Sequence, residues 1–197
     1  MKIIAIEGLD KAGKASQAKL LFNYLTSLGY KVEKSEFHRY DTPTGELVAK
    51  WLKKEWEVDQ KTIELIMTAD KQAQQSWFEE LQQSGADFLI LDRYTGSQEV
   101  YAEANGMNLS WVKSLQRYMR PFYIEIFIDI PPDVSMSRKG KHNGGKNDRY
   151  EEDYNLLKKV RNLYLERKNI VVDGTLPIKS VHMEITNKLN NALNLNQ

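Results

Sequence analysis

The sequence predicts an α/β fold: one domain over 1–197, built on a roughly five-stranded parallel sheet with helices on both faces. Three observations carry this. Short apolar runs, KIIAIE (2–7), DFLILD (87–92), FYIEIFIDI (122–130) and IVVDG (170–174), alternate with longer stretches of helical periodicity. No hairpin signal joins neighbouring runs, so each strand must return by a crossover, which is the parallel arrangement. A chain of 197 residues with 41% apolar content suits one domain with a buried core.

The elements follow in order. KIIAIE reads as the first strand, and SQAKLLFNYLTSLG (16–29) as a helix with Leu20, Leu21, Tyr24, Leu25 and Leu28 on one face and Gly29 as its stop. YKVEKSEF (30–37) is a second strand. A polar turn then leads into ELVAKWLKKEW, where Leu47, Val48, Trp51 and Leu52 share a face. The pattern from 59 to 84 predicts the longest helix. DFLILD is the third strand, and helices are expected around 97–104 and 110–119. FYIEIFIDI is the fourth strand, followed by a helix from PPDVSMSRK and another over DYNLLKKVRNLYLERK. IVVDG and a C-terminal helix through SVHMEITNKLNNAL complete the chain.

Bulk properties narrow the function. A net charge of +1 is too balanced for a polyelectrolyte partner, so no nucleic acid is expected and any anion site must be local. The chain has no cysteine, which excludes disulfides and thiolate chemistry and fits a reducing compartment. No window approaches the roughly 20 apolar residues of a membrane span, and the apolar run before Glu7 is too short for a secretion signal. A cytoplasmic protein without membrane contact is expected.

The chemistry begins at Gly8-Leu9-Asp10-Lys11-Ala12-Gly13-Lys14, between a strand and a helix. Glycines let backbone N–H groups turn inward around phosphate oxygens, and the helix N-terminus adds its positive dipole end. Lys14 supplies a point charge for the β- and γ-phosphates. Gly-x4-Gly-Lys alone arises by chance in roughly one chain in twenty of this length; strand before and helix after make phosphate binding the far better reading. The departure is Ala15, where a hydroxyl ordinarily ligates Mg²⁺. Ser16 lies about 100° further around the helix, which aims it toward the α-phosphate and makes it a poorer metal ligand. Mg²⁺ can instead arrive with ATP and be held through water by Asp92.

Three further segments, FHRYDTPTGELV (37–48), TADKQAQ (68–74) and LDRYTGSQEVYA (91–102), together with the loop, resemble the thymidylate kinase family of P-loop nucleoside monophosphate kinases. The likeness runs in order over nearly the whole chain, and Asp-Arg-Tyr followed by Ser is its most specific part. It implies a P-loop kinase fold and phosphoryl transfer from ATP to a deoxynucleoside monophosphate, dTMP above all. It also implies nucleotides as partners and a homodimer. By resemblance Lys14, Lys11, Arg93 and Asp92 are catalytic, Gly8 to Ser16 cradle ATP, and Arg138, Thr175 and Pro177 approach its adenine end. The monophosphate would meet Asp10, Phe37, Arg39, Met67, Lys71, Arg93, Ser97, Gln98, Tyr101 and Tyr150. The basic, Gly144-Gly145-bearing stretch 137–150 resembles a lid that closes over ATP and excludes water.

Departures from the family pattern cluster at the acceptor side. His38 stands where the family has proline, Lys71 replaces the Arg that reads the thymine edge, and Met67 sits where an aromatic stacks on the base. Lys cannot reproduce a planar two-pronged contact. They leave room for a kinase of another, or of several, nucleoside monophosphates. Ala15 leaves room for a nucleotide-binding protein with impaired catalysis.

Overall fold

The computed structural model describes residues 1–138, 148–167 and 170–194. Five strands, β1 (Lys2–Gly8), β2 (Val32–Glu36), β3 (Phe88–Asp92), β4 (Ile124–Asp129) and β5 (Ile170–Asp173), form one sheet in the order β2-β3-β1-β4-β5. All four pairings are parallel, as continuous apolar strands require when both faces are covered. Side chains on β1 and β3 alternate between faces. Ile4, Ile6, Phe88 and Ile90 join one apolar cluster, and Ile3, Ala5, Leu89 and Leu91 join a second with Phe37, Phe78 and Tyr94.

Nine helices among the described residues cover the sheet: α1 (Lys14–Ser27), α2 (Pro43–Leu52), α3 (Gln60–Gln72), α4 (Gln75–Gln83), α5 (Thr95–Ala104), α6 (Leu109–Leu115), α7 (Pro132–Ser137), α8 (Tyr154–Leu165) and α9 (Ile178–Leu193). Local signals set several starts. Asp59, Asn108 and Asp153 cap α3, α6 and α8 by accepting from the N–H of Thr62, Trp111 and Leu156. No helix among the described residues is long and apolar enough to cross a membrane.

The expected single helix over 59–84 is two helices. At the break, Gln74 N–H donates to Lys71 O at 3.2 Å, a tightened turn, while the Gln75 side-chain amide takes the same carbonyl at 3.0 Å. The apolar pattern continues through this point, so periodicity alone could not mark it.

Topology positions the site. The chain leaves β1 toward β2 on one side and leaves β3 toward β4 on the other, so neighbouring strands diverge at their carboxyl ends, where α/β sheets bind ligands. Ile6 pairs with Asp92, which brings the loop after β1 beside Arg93.

Candidate active site

The loop after β1 holds a conformation that needs its glycines. Gly8 has φ 153°, and a Cβ there would come within 2.8 Å of Ile128 O; Gly13 has φ 95° at the start of α1. Lys14, on the first turn of α1, is buried, donates from Nζ to Leu9 O at 2.9 Å and lies 4.0 Å from Asp10. Burial and the neighbouring Arg93 hold its pKa below the ordinary lysine value, against Asp10, Asp92 and Glu7. A phosphate cluster would replace the Leu9 carbonyl with better acceptors.

Arg93 and Asp10 meet across the crevice. Arg93 Nη2 donates to Asp10 Oδ1, and its guanidinium stands 5.6 Å from the Tyr101 ring centroid. Burial pushes the Asp10 carboxyl up, but the charges of Arg93, Lys14 and Lys11 outweigh it and keep the group ionised. Arg93 adopts φ 66°, a sparsely populated conformation for a residue with a side chain. What holds it is Glu7, a fully buried carboxylate. Its Oε1 accepts from Tyr94 N–H at 2.9 Å, and its Oε2 from the hydroxyls of Ser97 and Tyr164. Arg93 Nη1 in turn donates to Ser97 Oγ at 3.0 Å. Gly96 leaves the room this requires, since a Cβ there would run into the carboxylates of Glu125 and Glu7.

Lys11 lies 3.5 Å from Glu151, just past the basic stretch 137–150. Of the stretch 137–150 expected to form a lid, residues 139–147 lie outside the described residues, and the two ends are described. Arg138 bridges Lys11 O at 3.1 Å and Gly174 O at 2.9 Å, tying the phosphate loop to the turn that carries Thr175 and Pro177. The Thr175 hydroxyl bonds Asp173, Pro177 precedes α9, and Ala15 and Ser16 are exposed. Asp92 stands at the end of β3, its pKa raised by burial against the pull of Lys14 and Arg93.

Beside this charged centre a cleft opens, lined by Asp10, Phe37, His38, Tyr40, Leu52, Glu64, Met67, Arg93, Ser97, Gln98, Tyr101, Asp148 and Tyr150. Eight of the ten monophosphate candidates line it. The two exceptions have physical reasons. Arg39 is turned away, its guanidinium held by both oxygens of Asp41 at 3.1 and 3.0 Å and near Ser35 and Gln74. Lys71 is buried behind the cleft lining, donating to Met67 O at 3.3 Å and Gln98 Oε1 at 3.2 Å; burial lowers its pKa to about 8.

Asp70 fixes the loop that carries Phe37 and His38. It accepts from His38 Nδ1, Arg39 N–H, Thr42 Oγ1 and Thr44 Oγ1 at 3.0–3.2 Å. Against the upward push of burial, these bonds pull Asp70 down to about 2. Burial, then the charge of Lys71, lowers His38 from 6.5 to about 4 despite Asp70. The imidazole is therefore neutral at pH 7, with its proton on Nδ1. Between those two values the unfolded chain binds a proton at this residue and the folded chain does not. Stability therefore falls as pH drops from about 6.5 to 4, by at most about 3 kcal/mol from this group. Urea midpoints at pH 7 and 4.5 check this: the drop is expected in the wild type and reduced in His38→Gln.

Glu7, Glu64, Asp70 and Tyr164 were not among the sequence candidates. Glu7 had a signal, a lone charge inside an apolar strand; Glu64 had one in its i, i+3, i+7 spacing with Met67 and Lys71. Tyr164 had none.

Comparison with known proteins accords with this geometry. The sequence model of the thymidylate kinase family matches residues 6–185. A probable thymidylate kinase 1 of Saccharolobus solfataricus is 33% identical over 84% of this chain and 82% of its own length. A thymidylate kinase of Schizosaccharomyces pombe is 27% identical over 96% and 92%. That of Arabidopsis thaliana is 30% identical over 82% of this chain, which spans 59% of the plant protein. The solved thymidylate kinase structure from Candida albicans superimposes with a TM-score of 0.83 over 97% of this chain and 92% of that one, at 24% identity, and so shares the fold. With a family match over residues 6–185, and a glycine-bearing loop opening beside a cleft, the chain belongs to the thymidylate kinase family.

Proposed function

We infer that the chain transfers the γ-phosphoryl group of ATP to dTMP, giving ADP and dTDP. The observation that carries this, beside the family, is the convergence of Lys14, Asp10 and Arg93 at the mouth of a cleft walled by Phe37, Met67, Tyr101 and Tyr150. ATP lies on residues 8–16, with its adenine between Arg138 and the turn at Thr175 and Pro177. The acceptor nucleoside seats in the apolar part of the cleft and its phosphate faces Arg93. An acceptor phosphate oxygen attacks the γ-phosphorus as the bond to the β–γ bridging oxygen breaks, and that electron pair leaves on ADP. Lys14, Lys11 and Arg93 gather positive charge around the moving group, so catalysis is positioning and charge neutralisation with no covalent intermediate. Residues 137–150 serve as the lid that excludes water, and the protein acts as a homodimer, which sedimentation measures.

Mg²⁺ fits this site as a passenger on ATP. Among the described residues no group of three or more His, Cys, Asp or Glu is arranged to hold an ion, so nucleotide oxygens and water would supply most ligands. Asp92 is the side chain that suits a water-mediated hold: a carboxylate at the strand end, within the field of Lys14 and Arg93. Bound there, the ion neutralises phosphate charge. Ser16 is exposed on the first turn of α1.

A coupled ADP-release assay with ATP and Mg²⁺ tests the reading. Turnover is expected to favour dTMP over dUMP, dCMP, dGMP and AMP; absence of dTMP turnover would sink it. Ala15→Ser is expected to raise kcat/KM by about tenfold at low Mg²⁺ and little at saturation, as one restored metal ligand would. Equal rates of the two proteins at all Mg²⁺ concentrations would show that a hydroxyl at position 15 adds no metal ligand.

A further inference from the structure

Glu64 carries a polar atom that the fold leaves without a partner. It projects from α3, is 1% exposed and lines the acceptor cleft. Gln60, one turn earlier, donates from Nε2 to Glu64 Oε1 at 2.8 Å and also reaches Tyr150 Oη at 3.3 Å. Oε2 has no hydrogen-bond partner among the described residues. Burying a carboxylate oxygen without a donor is costly, and an orphan of this kind requires an explanation.

The amide side chain that α5 brings to the cleft is already occupied. Gln98 has its oxygen taken by Lys71 Nζ at 3.2 Å and Gln116 Nε2 at 3.3 Å, and its nitrogen donates to Glu64 O at 2.9 Å and Thr68 Oγ1 at 3.0 Å. Asp10 is engaged by Arg93, and one oxygen of Asp148, Oδ1, by the N–H groups of Tyr150 and Glu151. A base entering between Phe37, Met67, Tyr101 and Tyr150 meets, on the α3 wall, a buried acceptor without a donor of its own, Glu64 Oε2. A carboxylate oxygen calls for an N–H. Thymine has one, the imide N3–H between its two carbonyls.

We propose that Glu64 is a specificity-determining residue that accepts the imide N3–H of the acceptor pyrimidine through Oε2. The inference rests on reading the cleft as the dTMP site. Lys71 contributes indirectly: from behind, it locks the Gln98 amide into the protein and leaves the ring N–H to Glu64. Cytosine, whose N3 is a bare lone pair, would face a carboxylate with nothing to donate.

The amide of Gln60 makes the test unusually sharp. Because it donates to Oε1, a Glu64→Gln side chain would keep its oxygen there and turn its NH₂ to the Oε2 position. The acceptor becomes a donor, suited to cytosine N3 and opposed to thymine N3–H. Turnover of dTMP, dCMP and N3-methyl-dTMP is measured on the wild type and on Glu64→Gln, with thermal melts to verify folding. In the wild type, methylation at N3 is expected to lower kcat/KM by about thirtyfold or more, the loss of one charge-assisted hydrogen bond. In Glu64→Gln the dCMP-to-dTMP ratio is expected to rise by at least about tenfold. A folded Glu64→Gln enzyme with an unchanged ratio overturns the proposal, and so does a wild type that accepts N3-methyl-dTMP as well as dTMP. If the variant does not fold, the second measurement still overturns the proposal when methylation at N3 costs nothing. Wild-type protein that fails on dTMP itself overturns the kinase reading, and this proposal with it; discrimination lost while dTMP turnover persists overturns the role of Glu64 alone.

Discussion

Arg93→Ala is expected to lower kcat by about a thousandfold or more while ATP affinity stays within a few-fold of wild type. Three features of the site make the effect this large. The Arg93 side chain is only 17% exposed beside the phosphate loop, where charge is poorly screened. It is held on two sides, by Asp10 and by Ser97, so it is oriented before substrate arrives. Its backbone sits at φ 66°, a conformation kept by the bond from Tyr94 N–H to Glu7 and by its own N–H to Ile6 O at 2.9 Å. Arg93→Lys should recover little, because an ammonium cannot span Asp10, Ser97 and a phosphate oxygen together. Steady-state rates with dTMP and ATP, read beside nucleotide affinities from calorimetry, separate a lost transition-state contact from lost binding.

The second large effect is expected at a residue that touches neither nucleotide. Glu7→Gln should cost about ten- to a hundredfold in kcat and lower the thermal midpoint. The carboxylate accepts from Tyr94 N–H, Ser97 and Tyr164 at once, and only an acceptor with no hydrogens of its own can do so. An amide would set an NH₂ against one of those donors and release the turn that carries Arg93. Thermal stability alone would not distinguish a positioning role from a structural one. The discriminating readout is the background: in Arg93→Ala enzyme, Glu7→Gln should have almost no further effect on kcat, whereas a general loss of structure would multiply through. Tyr164→Phe, which removes one of the three donors, should give a smaller loss that is not additive with Glu7→Gln.

Much of this was legible in the residues. The phosphate loop announced itself because glycine spacing, a terminal lysine and a strand-to-helix context all express one constraint, the closeness of backbone to phosphate. The five parallel strands were legible because burial on both faces leaves continuous apolar runs. Arg93 and Asp92 were legible from their place at the end of such a run. Other features depend on which partner a side chain finds in three dimensions. Arg39 looks like a phosphate ligand in sequence, yet Asp41, two residues on, takes its guanidinium in the folded chain. Lys71 looks like a base-reading residue, yet the packing of Met67, Gln98 and Phe37 draws its ammonium behind the cleft wall. The break between α3 and α4 depends on a Gln75 side chain competing for a backbone carbonyl, which no periodicity records. Tyr164 reaches Glu7 from 157 residues away, a contact only the fold creates.

A phosphoryl group is expected to move from ATP to a nucleoside monophosphate on this chain. The most direct measurement is to incubate the protein with ATP labelled in its γ-phosphate, Mg²⁺ and dTMP, and to separate the products. Label is expected in dTDP, matched one for one by ADP and formed about a thousandfold or more slowly in Arg93→Ala. Label released as inorganic phosphate, or retained in ATP while dTMP is bound, would contradict it.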